Sequence, residues 1–207
     1  MTKNFGLMGK QEAKSLKAQD IICRAAIACL CELGYAETSI NRVVERAGVS
    51  KGALQHHFPT KEDLITTVAD RLIQRSVERH NQFRMEAAKS SADDLGAYLR
   101  SMWADLINTK PYRAMLEILN AARTDRKLRE RLSPRLLHWN TELDRHWGSI
   151  FEAAGGGEND VQLIMVMSRC LMRGLVIQGL FGDDTGQSEK VVERWIEMVA
   201  PLLRRRS

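Results

Sequence analysis

The sequence predicts an all-α protein of about nine helices, and three observations indicate this fold class. Apolar residues recur at helical spacing along most of the chain, prolines number only four, and runs of β-branched residues are few. A length of 207 residues suits one large or two small domains, and 44% hydrophobic residues suffice for a sizeable core. The pattern favours an N-terminal domain over residues 1–60 and a larger helical domain over residues 61–207.

The first predicted helix covers roughly Ala18–Leu33. One apolar face of this helix contains Ile22, Ala26, Cys29 and Leu33. Residues at this spacing lie on the same side of an α-helix and pack against the elements that follow. Gly34 is expected to end the helix, because glycine readily adopts the backbone conformations that helix ends require.

Two shorter helices follow, joined by a tight turn at Gly48. A hydroxyl at Thr38 or Ser39 is expected to accept an orphan backbone N–H and cap the first of them. Gly48 suits the left-handed residue that ends it, and Ser50 is expected to cap the next. The inward positions of the pair are Ile40, Val43, Val44, Ala47, Val49, Leu54 and Phe58. This pattern is that of a helix-turn-helix.

The outer face of the second short helix is small, polar and cationic, which suits the major groove of DNA. Gly52 and Ala53 lack bulk, so the backbone can approach base edges closely. Lys51 can donate to guanine or to phosphate, and the amide of Gln55 can pair with adenine. The predicted DNA-binding residues are Ser39, Asn41, Arg42, Ser50, Lys51, Gly52, Ala53, Gln55, His56, His57 and Lys61.

Within that set, the residues around the outer face are expected to contact the DNA backbone. His56 and Lys61 are assigned to phosphates, and Lys61 lies at a helix N-terminus whose free N–H groups also favour an anion. Ser39, Asn41 and Arg42 begin the preceding helix and can contact the other strand. His57 either reaches DNA or packs behind the helix.

A resemblance to a known family rests on two neighbouring segments, DIICRAAIACLCELGYAETSI and AGVSKGALQHHFPTKEDL. Both resemble the DNA-binding signature of the TetR family of transcriptional regulators, and the resemblance covers roughly residues 18–64. It implies an N-terminal three-helix helix-turn-helix domain and a C-terminal helical ligand-binding and dimerisation domain. Members usually carry tyrosine where this chain has Gln55, and that tyrosine often contacts phosphate, so Gln55 departs from the family's pattern.

The remaining helices are predicted from capping residues and helix breakers. Thr60 is expected to cap a long helix that runs to about Ala88, with Glu62 and Asp63 at its positive end. The segment SSADD, residues 90–94, is expected to end this helix and to cap the next, and glycines 155–157 are expected to end a later helix. The later helices are predicted over Leu95–Asn108, Lys110–Thr124, Ser133–Ala154, Asp160–Leu180 and Ser188–Arg204, with a short charged segment, DRKLRERL, before Ser133.

The stretch Val161–Phe181 is apolar nearly all round, so its helix must be covered on both sides. One cover is the core of the chain itself. The other is either a second subunit or, in a monomer, further helices of the same chain. The family resemblance implies a homodimer through the last two helices, paired as a four-helix bundle.

Tryptophan and methionine recur in the C-terminal part, where they either fill a core or line an adaptable apolar cavity. The family encloses an effector pocket in this region, which implies a small-molecule effector, expected to be largely apolar. Arg173 faces either an acidic partner or an anionic group of that ligand. The candidate pocket residues are Met102, Trp103, Met115, Trp139, Leu143, Trp147, Met167 and Arg173.

No catalytic, cofactor or metal site is predicted, because the chain has no nucleophile elbow, P-loop or dinucleotide glycine pattern. His138, Glu142 and His146 follow one another at intervals of four residues, a spacing that could bind a metal. However, His138 lies nearly opposite the apolar stripe of its helix, which favours a position on the protein surface. The four cysteines lack the spacing of a C-x-x-C or zinc site and are interpreted as packing residues. They are Cys23, Cys29, Cys31 and Cys170.

Charge and hydropathy give weaker indications. The net charge of +5 fits an anionic partner, but residues 18–64 sum to −1, so the placement of Lys51 and Lys61 matters more than bulk charge. Residues 1–17 sum to +3 and form either a disordered tail or an arm that contacts the DNA backbone. The start has no apolar signal-peptide core, and Arg169 and Arg173 interrupt the most apolar stretch, so a cytoplasmic protein without a membrane span is expected.

These features together predict a dimeric transcriptional regulator, most often a repressor, that a small-molecule effector releases from a palindromic operator in double-stranded DNA. Two recognition helices match successive major grooves only when they lie about 34–36 Å apart. An effector that binds better at another spacing lowers operator affinity. A helical enzyme with an apolar substrate pocket and an effector-free DNA-architectural module are the alternatives.

Overall fold

The computed structural model describes residues 10–87, 95–155, 160–182 and 186–206. Over these residues it confirms the all-α class with nine α-helices, in the order that the sequence predicts. The helices are α1 (Lys10–Glu37), α2 (Ile40–Ala47), α3 (Lys51–His57), α4 (Lys61–Ala87), α5 (Leu95–Ser101), α6 (Lys110–Thr124), α7 (Arg126–Ile150), α8 (Asp160–Gln178) and α9 (Gln187–Val199).

Several short elements join or end these helices. A π-helical segment, Met102–Ile107, continues α5, and 3₁₀ turns at Gly179–Phe181 and Ala200–Leu202 follow α8 and α9. Two strands that the sequence did not predict, β1 (Phe151–Ala153) and β2 (Leu203–Arg205), form an antiparallel pair. Main-chain hydrogen bonds of this pair join residues 203–205 to the segment that follows α7. Strands of only three residues are too short for side-chain periodicity to predict them.

The first helix differs from its prediction at both ends. It begins at Lys10, so the prediction of a helix start at Ala18 is wrong, and residues 10–17 belong to the helix. Residues 1–9 lie outside the described part of the chain. At the other end the helix kinks at Gly34 and continues to Glu37. Leu33, predicted on the inner face, is 36% exposed, whereas Ile22, Ala26 and Cys29 are buried.

Helix α7 also begins earlier than predicted. The sequence placed Pro134 at a helix start, where its missing N–H costs nothing, but the helix runs without a break from Arg126 to Ile150. The carboxylate of Asp125 accepts the N–H of Leu128 at 3.0 Å and caps this earlier start. Leu128 and Leu132 are fully buried, and this packing offsets the hydrogen bond that Pro134 removes.

The described chain divides into two compact units. The first comprises the described residues up to Arg71 together with Ala114–Arg129, and the second comprises those of Leu72–Arg113 and from Glu130 onward. The first unit therefore holds the beginning of α4 and most of α6 in addition to residues 10–60. Its fully buried side chains include Ile22, Leu30, Val43, Leu54, Leu64 and Ile65, and those of the second include Leu99, Leu132, Met165 and Met172.

Candidate nucleic-acid interface

Local capping builds the helix-turn-helix as the sequence predicts. The hydroxyl oxygen of Ser39 accepts the N–H of Arg42 at 3.3 Å, and that of Ser50 accepts the N–H of Ala53 at 3.1 Å. Gly48 has a φ of 65° and closes α2 in the left-handed conformation. These contacts define the turn between α2 and α3 through groups at most four positions apart in the sequence.

Helix α3 is sharply divided between a buried and an exposed face. Leu54 is fully buried and Phe58 is 3% exposed, as predicted for the two residues that anchor it. No neighbouring atom lies within 4 Å of a Cβ built at Gly52, which indicates open space on the outer side. The residues exposed on that side are Lys51, Gly52, Ala53, Gln55 and His56.

The start of α2 is also exposed, at Ser39, Asn41 and Arg42. The guanidinium of Arg42 pairs with the carboxylate of Glu37 at 3.0 Å, and the two side chains are 46% and 65% exposed. An exposed pair of this kind contributes little stability, so Arg42 can exchange its carboxylate for a phosphate at low cost. Its position is therefore compatible with the predicted contact to the DNA backbone.

Two residues at the end of α3 and the start of α4 are partly withdrawn from solvent. The ring of His57 is half-buried, with its centroid 5.2 Å from that of His56 and 6.3 Å from that of Phe58. The ammonium of Lys61 donates to the carbonyl oxygen of Tyr35 at 2.8 Å and lies 4.2 Å from the centroid of the Tyr35 ring. Burial lowers the pKa of Lys61 below its ordinary value. Lys61 therefore donates to an acceptor within the protein, whereas the sequence predicted that it contacts a DNA phosphate.

Comparison with known proteins places this site in a family. Residues 22–68 match the model of a family described as bacterial regulatory proteins, tetR family. The HTH-type transcriptional repressor AcnR of Corynebacterium diphtheriae is 32% identical over 180 residues, which cover 86% of this chain and 89% of that protein. The chain belongs to the TetR family. It is an all-α regulator of transcription with a DNA-binding helix-turn-helix.

Two further similarities extend over most of the chain. The HTH-type transcriptional regulator CymR of Pseudomonas putida is 27% identical over 188 residues, covering 91% of this chain and 92% of that protein. A putative transcriptional regulator from Saccharomonospora viridis, solved in complex with choline, has a TM-score of 0.65 at 16% identity and covers 92% of this chain and 100% of that chain. That structural likeness shows the fold.

In this TetR-family chain, helix α8 has two apolar faces, as its sequence predicts. The face turned to the core of the second unit contains Val161, Ile164, Met165, Met172 and Val176. The other face, here called the α8 stripe, is exposed and consists of Leu163, Val166, Met167, Cys170, Gly174 and Ile177. Met167 is 44% exposed on this stripe, so it does not face the interior with the other candidate pocket residues.

The structure distributes the remaining candidate pocket residues unevenly. Trp139 is half-buried, and Met115 is buried but belongs to the first unit. Those buried within the second unit are Met102, Trp103, Leu143 and Trp147. The indole N–H of Trp103 donates to Glu189 at 3.5 Å, which satisfies its polar end.

Sequence reasoning missed part of an aromatic cluster in the second unit. The ring of Tyr98 lies 3.9 Å from that of Trp147, and His80 lies 4.5 Å from His146 and 5.2 Å from Trp147, centroid to centroid. Burial raises the pKa of Tyr98 well above its ordinary value. His80 and Tyr98 lie on α4 and α5, and no local pattern signals their contact with a helix that follows much later in the sequence.

Two arginines on α8 have different partners. Arg169 pairs with the carboxylate of Asp144 at 3.2 Å, whereas the Nε of Arg173 donates to the hydroxyl of Tyr112 at 2.7 Å. Burial raises the pKa of Tyr112, and the neighbouring Arg173 cation partly opposes that rise. The partner of Arg173 in this structure is thus a neutral hydroxyl, which differs from both partners that the sequence suggested.

Within residues 10–87, 95–155, 160–182 and 186–206, no group of three or more His, Cys, Asp or Glu side chains is placed to hold a metal ion. None of the helices in those ranges combines the length and the apolar character needed to cross a membrane. His138 is exposed on the surface of α7, as expected from its position opposite the apolar stripe.

Proposed function

We propose that this chain is a homodimeric repressor that binds a palindromic operator and leaves it when a small-molecule effector binds. The observation that carries the proposal is the outer face of α3, where Lys51, Gly52, Ala53, Gln55 and His56 are exposed together above a fully buried anchor. A short helix with small and polar outer residues fits the width of the major groove.

Lys51 and Gln55 are the proposed base-reading residues. Both are exposed, and they lie four positions apart on one side of α3. The lysine ammonium can donate to the acceptors of guanine, and the glutamine amide can both donate to and accept from adenine. Gln55 therefore takes a reading role at the position where relatives usually carry a tyrosine.

Filter binding against a randomised set of duplexes tests this assignment. Gln55→Ala should relax the preference at one base pair, at a cost of about 1–3 kcal/mol, and Lys51→Ala should weaken binding to the preferred duplex strongly. Lys127→Ala, an exposed lysine on α7, is the matched control and should bind as the wild type does. An unchanged base preference in Gln55→Ala would reduce that residue to a phosphate contact at most.

Dimerisation is proposed through the α8 stripe together with α9. Leu163, Val166, Met167 and Ile177 are each at least 40% exposed in the single chain. The last three lie three, four and fourteen positions after Leu163, so all four share one side of the helix. A continuous apolar stripe on an exposed helix marks an association surface. A two-fold axis across this stripe would pair α8 and α9 with their copies as a four-helix bundle and hold two α3 helices at a set spacing.

Sensing is proposed for the second unit, around its tryptophans and Arg173. The related regulator from Saccharomonospora viridis was solved with choline, so proteins of this fold accept small molecules. In this chain, Trp139 is only half-buried beside the aromatic cluster, and Arg173 has a tyrosine hydroxyl as its partner. A largely apolar effector, with a carboxylate for Arg173, suits these groups.

The proposed response is a linkage between two binding events. An effector that prefers a spacing of the α3 helices unsuited to the operator lowers operator affinity by its differential affinity for the two states. Operator DNA must then weaken effector binding by the same factor. Measuring each affinity in the presence of the other partner tests the mechanism. A ligand that binds tightly but leaves operator affinity unchanged would rule it out.

A further inference from the structure

The backbone of Tyr35, which follows the kink at Gly34 near the end of α1, is held from three directions within the first unit. The carboxylate of Glu117 on α6 accepts the N–H of Tyr35 at 3.1 Å. On the other side of the same residue, the ammonium of Lys61 on α4 donates to the carbonyl oxygen at 2.8 Å. The preceding carbonyl, of Gly34, accepts both the hydroxyl and the N–H of Thr38, at 2.7 and 3.2 Å. These five residues are here called the Tyr35 joint.

Gly34 is required at this joint for two reasons. Its φ of 76° and ψ of 174° lie in a region that only glycine adopts readily. A Cβ at Gly34 would also lie 3.1 Å from the carboxylate oxygen of Glu117, so a side chain there would crowd the group that binds Tyr35. The kink and the approach of α6 thus depend on the same residue.

The contact of Lys61 bears on its assignment to a DNA phosphate. The ammonium is half-buried, stacks 4.2 Å above the centre of the Tyr35 ring and donates to a main-chain oxygen. Both contacts would weaken if the ammonium turned outward to a phosphate. A cation that lies over an aromatic ring and also donates to a carbonyl oxygen is held in place by both contacts. We therefore interpret the Lys61 ammonium as a group that fixes the Tyr35 backbone.

We propose that Lys61 and Glu117 are positioning residues for DNA binding, which act through the Tyr35 backbone rather than by touching DNA. This inference rests on the proposed function, since it assumes that the helix-turn-helix binds DNA. The joint fixes the direction in which the chain leaves the kink in α1, and α2 begins only a few residues later. Because α3 follows α2 through a tight turn, the joint sets where the recognition helix lies on the core of the first unit.

The first test reports on the joint without DNA. The chain has three tyrosines, so ¹⁵N-tyrosine labelling gives three amide signals, and the signal that is lost in Tyr35→Phe belongs to Tyr35. In Glu117→Ala, which removes the acceptor, the Tyr35 amide should shift and exchange its hydrogen roughly tenfold to a hundredfold faster. Glu117→Gln retains an amide oxygen as acceptor and should stay close to the wild type. An unmoved Tyr35 amide in Glu117→Ala would overturn the proposal.

The second test measures DNA binding at several salt concentrations, with a duplex that the wild-type chain selects from a random library. Lys61→Met keeps the apolar stem and should bind roughly tenfold or more weakly, with the salt slope unchanged. Loss of a phosphate contact would instead lower that slope by about 0.9. Lys127→Met, which removes one exposed charge from α7, is the control and should match the wild type.

Glu117→Ala should weaken binding to a similar degree, again at an unchanged salt slope, although it removes a negative charge. The double variant with Lys61→Met should be no weaker than the weaker single variant, because both changes release the same backbone. A slope reduced by about 0.9 in Lys61→Met would overturn the proposal. The proposal would also be overturned if Glu117→Ala bound DNA as the wild type does while its Tyr35 amide hydrogen exchanged faster. A wild-type chain that selects no duplex would refute the proposed function instead, and the amide signals would still report on the joint.

Discussion

Replacing Leu163 by glutamate should break the proposed dimer. Leu163 is 57% exposed in the single chain and begins the α8 stripe. Covering that exposed part contributes about 1–2 kcal/mol from each copy, because full burial of a leucine side chain is worth about 1.5–3 kcal/mol. Glutamate loses this contribution in both copies and adds two unpaired carboxylates to an apolar interface, which costs several kcal/mol more. A total of at least about 4 kcal/mol raises the dissociation constant about a thousandfold.

Sedimentation equilibrium at micromolar concentration measures this effect directly. The wild-type chain should have twice the monomer mass of 23.5 kDa, and Leu163→Glu should approach the monomer mass. Leu137→Glu is the matched control, because Leu137 is 68% exposed and lies on α7 rather than on α8, and the chemical change is identical. The reasoning is refuted if the wild type is monomeric, or if both variants dimerise equally well.

Three further predictions concern stability and sensing. Gly34→Ala should lower the free energy of unfolding in urea by about 1–3 kcal/mol, since its backbone conformation strains any other residue; an unchanged midpoint contradicts this. Burial raises the pKa of the Cys23 thiol from 9.0 to about 11, so the folded chain keeps a proton that the unfolded chain releases. As pH rises from 9 to 11, the free energy of unfolding of the wild type should therefore fall by up to about 2–3 kcal/mol relative to that of Cys23→Ala. The same pH dependence of unfolding in both proteins would contradict this prediction. Trp139→Ala should weaken an effector that quenches tryptophan fluorescence and leave operator affinity nearly intact; equal losses of both affinities would remove Trp139 from the sensing site.

The helix-turn-helix was predictable because its determinants are local. Ser39, Gly48 and Ser50 act on backbone groups at most four positions away, so their residue types alone indicate where α2 and α3 begin and end. Leu54 and Phe58 follow the period of a single helix, which reveals the buried side and, by difference, the exposed one. The surface proposed to contact DNA is therefore a short-range property of the sequence.

The features that were missed depend on partners far apart in the chain. Glu117 binds the Tyr35 N–H across 82 positions, and nothing near either residue indicates the other. Helix α7 passes through Pro134 because packing of Leu128 and Leu132 outweighs a local preference, which a reading of caps and breakers cannot weigh. Apolar content did indicate that α8 has two apolar faces, but only the structure separates the covered face from the exposed one.

The central claim is that a dimer of this chain reads DNA with two α3 helices. Footprinting of the purified chain on duplexes that it selects from a random library tests this most directly. The account predicts a two-fold symmetric site whose half-site centres lie about 34–36 Å apart along the duplex, or a multiple of that spacing, with protection lost in Leu163→Glu and kept in Leu137→Glu. An unsymmetrical site, or protection that survives in Leu163→Glu, would contradict it.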